Sequence, residues 1–167
     1  MMGEYRVTKY NPSLRGRNGL YLAEDWTSVC DVGSRVSGRL VELSEYLKVE
    51  DAYLESLRGA LRAGEPGELR LSDIEYPSSP QPSGLPTLDL SFLDDAQSSL
   101  SAEHFFVFAR AALRELVWAR VEGDNQWYVY FGYEYYMYIG GSLVQASDLR
   151  VDGLYVEAFE SPYGRDR

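Results

Sequence analysis

Glu134 has the strongest claim to chemistry, because its carboxyl group stands within the aromatic run FGYEYYMY at residues 131–138. Two carboxylic acids on either side of a bond are the general acid and base of many hydrolases. Glu157 and Glu160 follow on a predicted strand and are the candidate partners. The chain contains 26 acidic residues, so some of them become neighbours by chance. A small hydrolase, or a ligand-binding enzyme that uses Glu134, is therefore the alternative function and not the first one.

Cys30 and His104 are the only cysteine and the only histidine of the chain. A nucleophilic thiol needs a base beside it, but His104 opens the apolar sequence HFFVF at the start of a predicted helix. We therefore interpret Cys30 as a small buried hydrophobic residue. The sequence contains no zinc-binding cluster, no acid spacing typical of Mg²⁺ or Ca²⁺ and no glycine-rich phosphate loop. We expect neither a metal nor another cofactor.

A longer pattern lies in the last third of the chain, where residue character alternates over 117–122 and again from Trp127 to Ile139. Alternation predicts two strands, and Gly123-Asp124-Asn125 between them is a hairpin signal. A three-residue loop at 123–125 sets Val121 beside Trp127 and keeps the apolar residues of both strands on one face. A loop of two or four residues would mix the faces. Gly132 is expected to mark a bulge or bend in the longer strand.

The opposite face of this hairpin has side chains that combine an apolar ring or stem with a polar end. We call it the aromatic face: Trp118, Arg120, Tyr128, Tyr130, Glu134, Tyr136 and Tyr138. Three interpretations are open. A helix covers the face and makes it a second core, or the face binds a protein, since interfaces are rich in Tyr, Trp and Arg, or it forms a small-ligand pocket. We name these residues as the candidate partner-binding set.

An apolar stripe predicts the first helix that supports this sheet, over residues 44–63. Ser44 suits the N-cap and Gly64 ends the helix. The stripe has helical spacing: Leu47, Leu54, Leu57 and Leu61. The acidic residues of this helix are interpreted as a solvated face: Glu50, Asp51 and Glu55.

Ser101 caps the second predicted helix, which extends to about residues 113–115. Its buried stripe is Phe105, Phe108, Ala112 and Leu116. Further strands are predicted over residues 5–10, 68–76 and 153–160, and the proline-rich segment 77–86 is predicted to be a loop. These elements indicate a single α+β domain over 1–167, with a mainly antiparallel sheet and about two main helices packed on it.

The net charge is −10, from 26 acidic and 16 basic residues. Phosphate binding needs a basic face, so this charge disfavours nucleic acid as a partner. A negative field keeps a protein in solution and speeds its capture of a basic partner. The first residues, MMGEYR, lack the apolar core of a secretion signal, and no run of apolar residues is long enough to span a membrane. We expect a cytoplasmic protein without a membrane partner.

Three stretches support a resemblance: YRVTKYNP at residues 5–12, DWTS at 25–28 and FGYEYYMY at 131–138. They resemble a group of small bacterial proteins without assigned function, and this resemblance implies no particular chemistry. In size and acidity the chain is also similar to the immunity proteins that neutralise bacterial toxins. That second likeness implies a protein-binding module, so our first hypothesis is an immunity-type inhibitor of a basic toxin.

Overall fold

The computed structural model describes residues 2–95 and 99–162. It confirms the α+β class, with a mainly antiparallel six-stranded sheet and two main helices. The strands are β1 (Gly3–Thr8), β2 (Arg35–Val36), β3 (Arg39–Leu40), β4 (Arg70–Glu75), β5 (Trp118–Glu122), β6 (Tyr128–Phe131), β7 (Met137–Gly141) and β8 (Tyr155–Ala158). Strands β2 and β3 form a separate ribbon, and the sheet has the order β4-β5-β6-β7-β1-β8. Each strand of the sheet is antiparallel to its neighbours.

Helix α1 (Leu43–Gly64) begins and ends within one residue of its predicted bounds. The N-cap is Glu42, which makes no side-chain capping bond, and not the predicted Ser44. Leu54 and Leu57 are buried as expected, but Leu47 and Leu61 are only half-buried. The buried face of α1 instead includes Tyr46, Glu50 and Tyr53.

Helix α2 (Ala102–Leu113) begins as predicted, with the Ser101 side chain accepting a hydrogen bond from the His104 amide at 3.1 Å. Its C-terminal end has the two hydrogen bonds of a Schellman motif. The Glu115 amide donates to Ala112 at 3.0 Å, and the Leu116 amide donates to Ala111 at 2.9 Å. Glu115 therefore has a left-handed backbone, with φ of 59°, at a position where glycine is usual.

Both helices pack on the face of the sheet that the alternation predicted to be apolar. Val121, Val129 and Ile139 are at most 1% exposed. The indole nitrogen of Trp127 donates to the Ala60 carbonyl of α1 at 2.9 Å, and the Phe108 ring of α2 lies 6.0 Å from the Phe131 ring. The predicted core face is therefore confirmed at Val121, Val129 and Ile139.

The first hairpin has the predicted faces but a different register. Val121 lies opposite Val129 and not opposite Trp127. The loop has three residues, as expected, but they are 124–126, since the Gly123 amide donates to the Trp127 carbonyl at 2.9 Å. Moving the centre of a loop by one residue moves the register by two, which leaves every side chain on its own face.

The long strand predicted from Trp127 to Ile139 is wrong, because the chain folds back on itself to form β6 and β7. A turn at residues 132–136 joins these strands, and Val129 lies opposite Ile139. Gly132 begins the turn, at the residue where the sequence predicted a bulge or bend. The turn again has an odd number of loop residues, so the alternation of faces continues from β6 into β7.

Glu50 corrects the prediction of a solvated acidic face on α1, since it is 0% exposed. Its carboxylate accepts two hydrogen bonds from Arg114, at 2.8 and 2.9 Å, and another from Arg110. Asp51 and Glu55, its neighbours on the same helix, are exposed as expected. The helices α1 and α2 are therefore joined by a buried charge pair as well as by apolar contacts.

Cys30 is exposed, which contradicts its prediction as a buried hydrophobic residue. It lies in a short 3-10 helix, Val29–Asp31, of which only Val29 is buried. The Cys30 thiol donates to the carbonyl of Pro80 in the proline-rich segment at 3.1 Å. Val29 is therefore the residue that this short helix buries, whereas Cys30 lies at the surface against the proline-rich segment.

Candidate functional site

The aromatic face lies on the side of the sheet opposite to α1 and α2. One row crosses four strands of that side, with Arg120, Tyr130, Tyr138 and Arg6 in successive register. Neither of the two main helices covers this row, so the face is not a second helix-packed core. The exposure of its side chains to solvent is instead set by neighbouring side chains and loops.

Most of the aromatic face is packed rather than open. Tyr128 and Tyr138 are 8% and 6% exposed. Four further members are half-buried: Trp118, Arg120, Tyr130 and Tyr136. Only Glu134 is exposed. A partner that docked flat on this face would therefore reach ring edges and polar ends rather than whole rings.

Two arginines hold one border of this face together. Arg6 donates two hydrogen bonds to Glu157, at 3.1 and 3.2 Å, and its guanidinium lies 4.0 Å from the centre of the Phe159 ring. Arg15 donates to the Tyr136 hydroxyl at 2.8 Å and lies 3.7 Å from Glu157. Glu157 is therefore neutralised by two cations and is a poor second carboxylate for Glu134.

Glu134 occupies the turn between β6 and β7. Glu134 and Tyr135 have φ of 58° and 67°, and the Tyr136 amide donates to the Tyr133 carbonyl at 3.2 Å. This is the pattern of a type I′ turn, in which Asn-Gly is the favoured central pair. The carboxylate of Glu134 points outward, while its carbonyl accepts a hydrogen bond from the Tyr10 hydroxyl at 2.7 Å.

Tyr135 anchors this turn in the core. Its hydroxyl donates to the Leu113 carbonyl at 3.1 Å, and its carbonyl accepts from the Tyr53 hydroxyl at 2.7 Å. Its ring also lies 5.2 Å from that of Trp26. The left-handed backbone is thus held by a buried side chain with fixed partners, which also determines where Glu134 stands.

A small cleft of about 30 Å³ lies between this turn and the C-terminal end of α2. We call it the turn cleft. Its lining includes exposed or half-buried residues, namely Thr27, Glu115, Trp118, Tyr133, Glu134 and Tyr136, and buried ones such as Tyr135. A cavity of this size holds a water or a small side-chain group and not a large substrate.

Two aromatic rings form one lip of the turn cleft. Trp118 and Tyr133 meet edge to face, with ring centres 5.0 Å apart and an interplanar angle of 86°. Tyr133 is 66% exposed, although alternation placed it on the core face. Alternation does not apply to Tyr133, because this residue lies in the turn and not in a strand. Its position after Gly132 is the only local signal of that exposure.

Glu115 is the second carboxylate of the turn cleft, and the sequence analysis did not identify it. The Ser28 hydroxyl donates to its Oε2 at 2.5 Å. The residue is half-buried and stands just beyond the end of α2. Glu115 and Glu134 are nineteen positions apart in the chain, and no local pattern predicts that helix and turn meet.

Burial of titratable groups is concentrated beneath this region. Loss of solvent raises the pKa of four tyrosines well above the ordinary value of 10.0: Tyr10, Tyr46, Tyr53 and Tyr135. The same effect lowers the pKa of Lys9, although Asp25 opposes it at 2.8 Å. The phenols are therefore neutral near pH 7, and the hydroxyls of Tyr10, Tyr53 and Tyr135 donate hydrogen bonds to backbone carbonyls.

Within residues 2–95 and 99–162, no set of three or more His, Cys, Asp or Glu side chains is placed to hold a metal ion. No helix in these ranges combines the length and the apolar character needed to cross a membrane. Comparisons with protein-family models, with curated proteins and with solved structures find no match for this chain. Function must therefore be inferred from the side chains themselves.

Proposed function

We propose that the protein is a cytoplasmic binding module for a basic protein, of the type that inhibits a bacterial toxin. Such an inhibitor needs a stable scaffold, a charge opposite to that of its partner and a few rigid anchor side chains. It needs no catalytic group. The observation that supports the proposal is the way in which the chain distributes its charged residues.

Many basic side chains pair with acidic side chains of this chain. Among the described residues, nine of them form ion pairs with acidic residues: Arg6, Lys9, Arg15, Arg39, Arg58, Arg70, Arg110, Arg114 and Arg120. The side chains of Lys9 and Arg114 are only 4% and 3% exposed. Positive charge is thus partly withdrawn from the surface, where it would repel a basic partner.

Many acidic side chains remain outside. Several exposed carboxylates make neither an ion pair nor a hydrogen bond with any described residue: Glu42, Glu65, Glu68, Glu75, Asp94, Glu103, Glu134 and Asp152. These groups add to a net charge of −10. A surface of this kind attracts a cationic protein over about one Debye length, roughly 8 Å at physiological salt. It therefore accelerates association more than it strengthens the complex.

The test begins with affinity capture from the native host on the immobilised full chain, followed by association kinetics with each recovered protein. We expect a basic partner whose association rate falls about tenfold or more from low to physiological salt. The double variant Glu65→Gln/Glu68→Gln should slow association, while Ser78→Asn, an exposed change without charge, should not. Recovery of acidic partners alone, or rates that ignore salt, would contradict the proposal.

The alternative function is a small hydrolase or ligand-binding enzyme that uses Glu134. One observation favours it, since Glu134 shares the turn cleft with a second carboxylate, Glu115. The small volume of the cleft argues against a bound substrate in this conformation. Glu134→Gln separates the two functions: an enzyme should lose its turnover with the fold intact, whereas a binding module should show a modest change of affinity.

A further inference from the structure

We infer that the mouth of the turn cleft binds the guanidinium group of one arginine of a basic protein partner. This inference rests on the proposed function and names the place and the chemistry of the contact. An arginine guanidinium suits such a cleft because it is planar, stacks on aromatic rings and donates paired hydrogen bonds to carboxylates.

No basic side chain in the described part of the chain forms an ion pair with the carboxylates of the cleft. The Glu134 carboxylate is exposed and makes no ion pair or hydrogen bond with a described residue. Glu115 accepts one hydrogen bond, from Ser28 to Oε2, which leaves Oε1 available. None of the ion pairs among the described residues includes either glutamate. Two carboxylates beside one small cleft are complementary to a single cation.

The aromatic lip supplies the second half of a guanidinium site. Trp118 and Tyr133 present a fixed edge-to-face pair, and most of the Tyr133 ring is exposed. A cation is attracted to the face of such rings. The chain uses this combination elsewhere for its own cations: Arg6 lies against the Phe159 ring and pairs with Glu157, while the Lys9 ammonium lies 4.0 Å from the centre of the Trp26 ring and pairs with Asp25.

The elements that hold both carboxylates are rigid. The Glu115 and Leu116 amides close α2 with hydrogen bonds to the carbonyls of Ala112 and Ala111. Glu134 precedes Tyr135, whose hydroxyl donates to the Leu113 carbonyl of α2. Helix end and turn are therefore tied together directly behind the cleft. A backbone that is already held in place loses less entropy on binding, which favours recognition of a small group.

The experiment is an NMR titration of the full chain with N-acetylarginine amide. N-acetylcitrulline amide, which has nearly the same shape without the charge, is the matched control. The indole N–H of Trp118 is the main probe, since the other two tryptophans, Trp26 and Trp127, are 2% and 0% exposed. We expect a saturable shift at Trp118 with the arginine probe, and binding of the citrulline probe weaker by about tenfold or more.

Two variants assign the carboxylates. Glu134→Gln removes one charge, and Glu115→Gly removes the other while placing at the Schellman position the residue that this motif prefers. Each should weaken arginine-amide binding by about fivefold or more. Asp124→Asn removes an exposed charge in the loop at the other end of the β5–β6 hairpin, 3.9 Å from Arg70 and outside the cleft lining, and should leave binding unchanged.

Equal binding of the arginine and citrulline probes, or binding that neither cleft variant weakens, would overturn the inference. Its failure can be told apart from failure of the proposed function. If a captured basic partner binds the cleft variants as tightly as the unaltered chain, with salt-sensitive association, the function stands and the site is wrong. If the arginine probe binds as expected but capture yields only acidic partners, the cation site stands and the proposed function fails.

Discussion

Replacing Glu50 by glutamine should strongly destabilise the protein, because it removes the only counter-charge of a buried arginine among the described residues. Arg114 is 3% exposed and donates to Glu50 through Nε and Nη2, at 2.9 and 2.8 Å. Burial lowers the pKa of Arg114, but the paired carboxylate outweighs that effect and raises it. The guanidinium therefore stays charged, and glutamine would leave it in the core without an opposite charge.

The size of the effect follows from this geometry. Breaking a buried ion pair by removing one partner costs about 3–5 kcal/mol. A domain of this size has a total stability of about 5–15 kcal/mol, so Glu50→Gln would remove a large share of it. Arg110 moderates the loss only slightly, since it is partly exposed and can turn to Asp51, 3.5 Å away.

The double variant Glu50→Leu/Arg114→Met separates lost charge pairing from lost packing. Hydrophobic replacement of a complete buried pair is often neutral or stabilising by about 1–4 kcal/mol. Here the replacement also loses the hydrogen bond from Arg114 to the Pro86 carbonyl at 3.2 Å, which reduces that gain. We expect the double variant to be at least about 2 kcal/mol more stable than either single variant, Glu50→Leu or Arg114→Met.

Urea denaturation of the four proteins in this cycle, with the slope compared between variants, measures the coupling. Glu50→Gln belongs in the same series because it keeps the shape of the side chain. A loss below about 1 kcal/mol in Glu50→Gln would show that water reaches Arg114 and that the pair is not buried in solution. Additive effects in the cycle would refute the coupling itself.

Three further predictions concern stability and can be measured by denaturant or thermal unfolding. Gly59→Ala should destabilise by about 1–3 kcal/mol although alanine favours helices, because the new methyl group would overlap the Asp148 carbonyl; a gain in stability would contradict this close packing. Tyr135→Phe should cost about 1–3 kcal/mol, since the Leu113 carbonyl loses its donor, and an unchanged midpoint would argue that this bond is absent. Stability should also fall steeply above pH 10, because the four buried tyrosines ionise only in the unfolded chain. Each of them then lowers the free energy of unfolding by about 1.4 kcal/mol per pH unit. Phenolate absorbance that rises smoothly without unfolding would be inconsistent with their raised pKa values.

The parts of the fold that depend on short periodic patterns could be predicted from the sequence. Helix α2 has both a capping serine and an apolar stripe, so its start at Ala102 follows directly. The faces of β5 and β6 were predicted correctly although their register was wrong. The face of a side chain depends only on whether the loop has an odd or even number of residues. The α+β class follows from the same patterns, since each apolar face must be buried against another.

Features that depend on distant contacts could not be predicted. Glu50 meets Arg114 across 64 positions of the chain, and an acidic residue on a helix is usually solvated when no partner is known. Glu115 and Glu134 line the same cleft for a similar reason, because the end of α2 meets the turn between β6 and β7. No local sequence pattern predicts that contact. Among the seven proposed partner-binding residues, the structure brings Trp118, Glu134 and Tyr136 to one cleft, but their binding role stays a prediction.

In the turn beside the cleft, the residue types disagree with the backbone conformation that they adopt, as a comparison of the two hairpin turns makes clear. Both turns follow a glycine and have two successive left-handed residues: Asn125-Gln126 in the first and Glu134-Tyr135 in the second. Asparagine tolerates this backbone well, whereas glutamate and tyrosine do not, so the second turn is strained relative to the first. Buried hydrogen bonds of Tyr135 hold the strained turn in place, and the same turn presents Glu134 and Tyr133 at the surface. Because residues that oppose local preference tend to be found at functional sites, this strain favours the cleft over the flatter, packed aromatic face as the place where a partner binds.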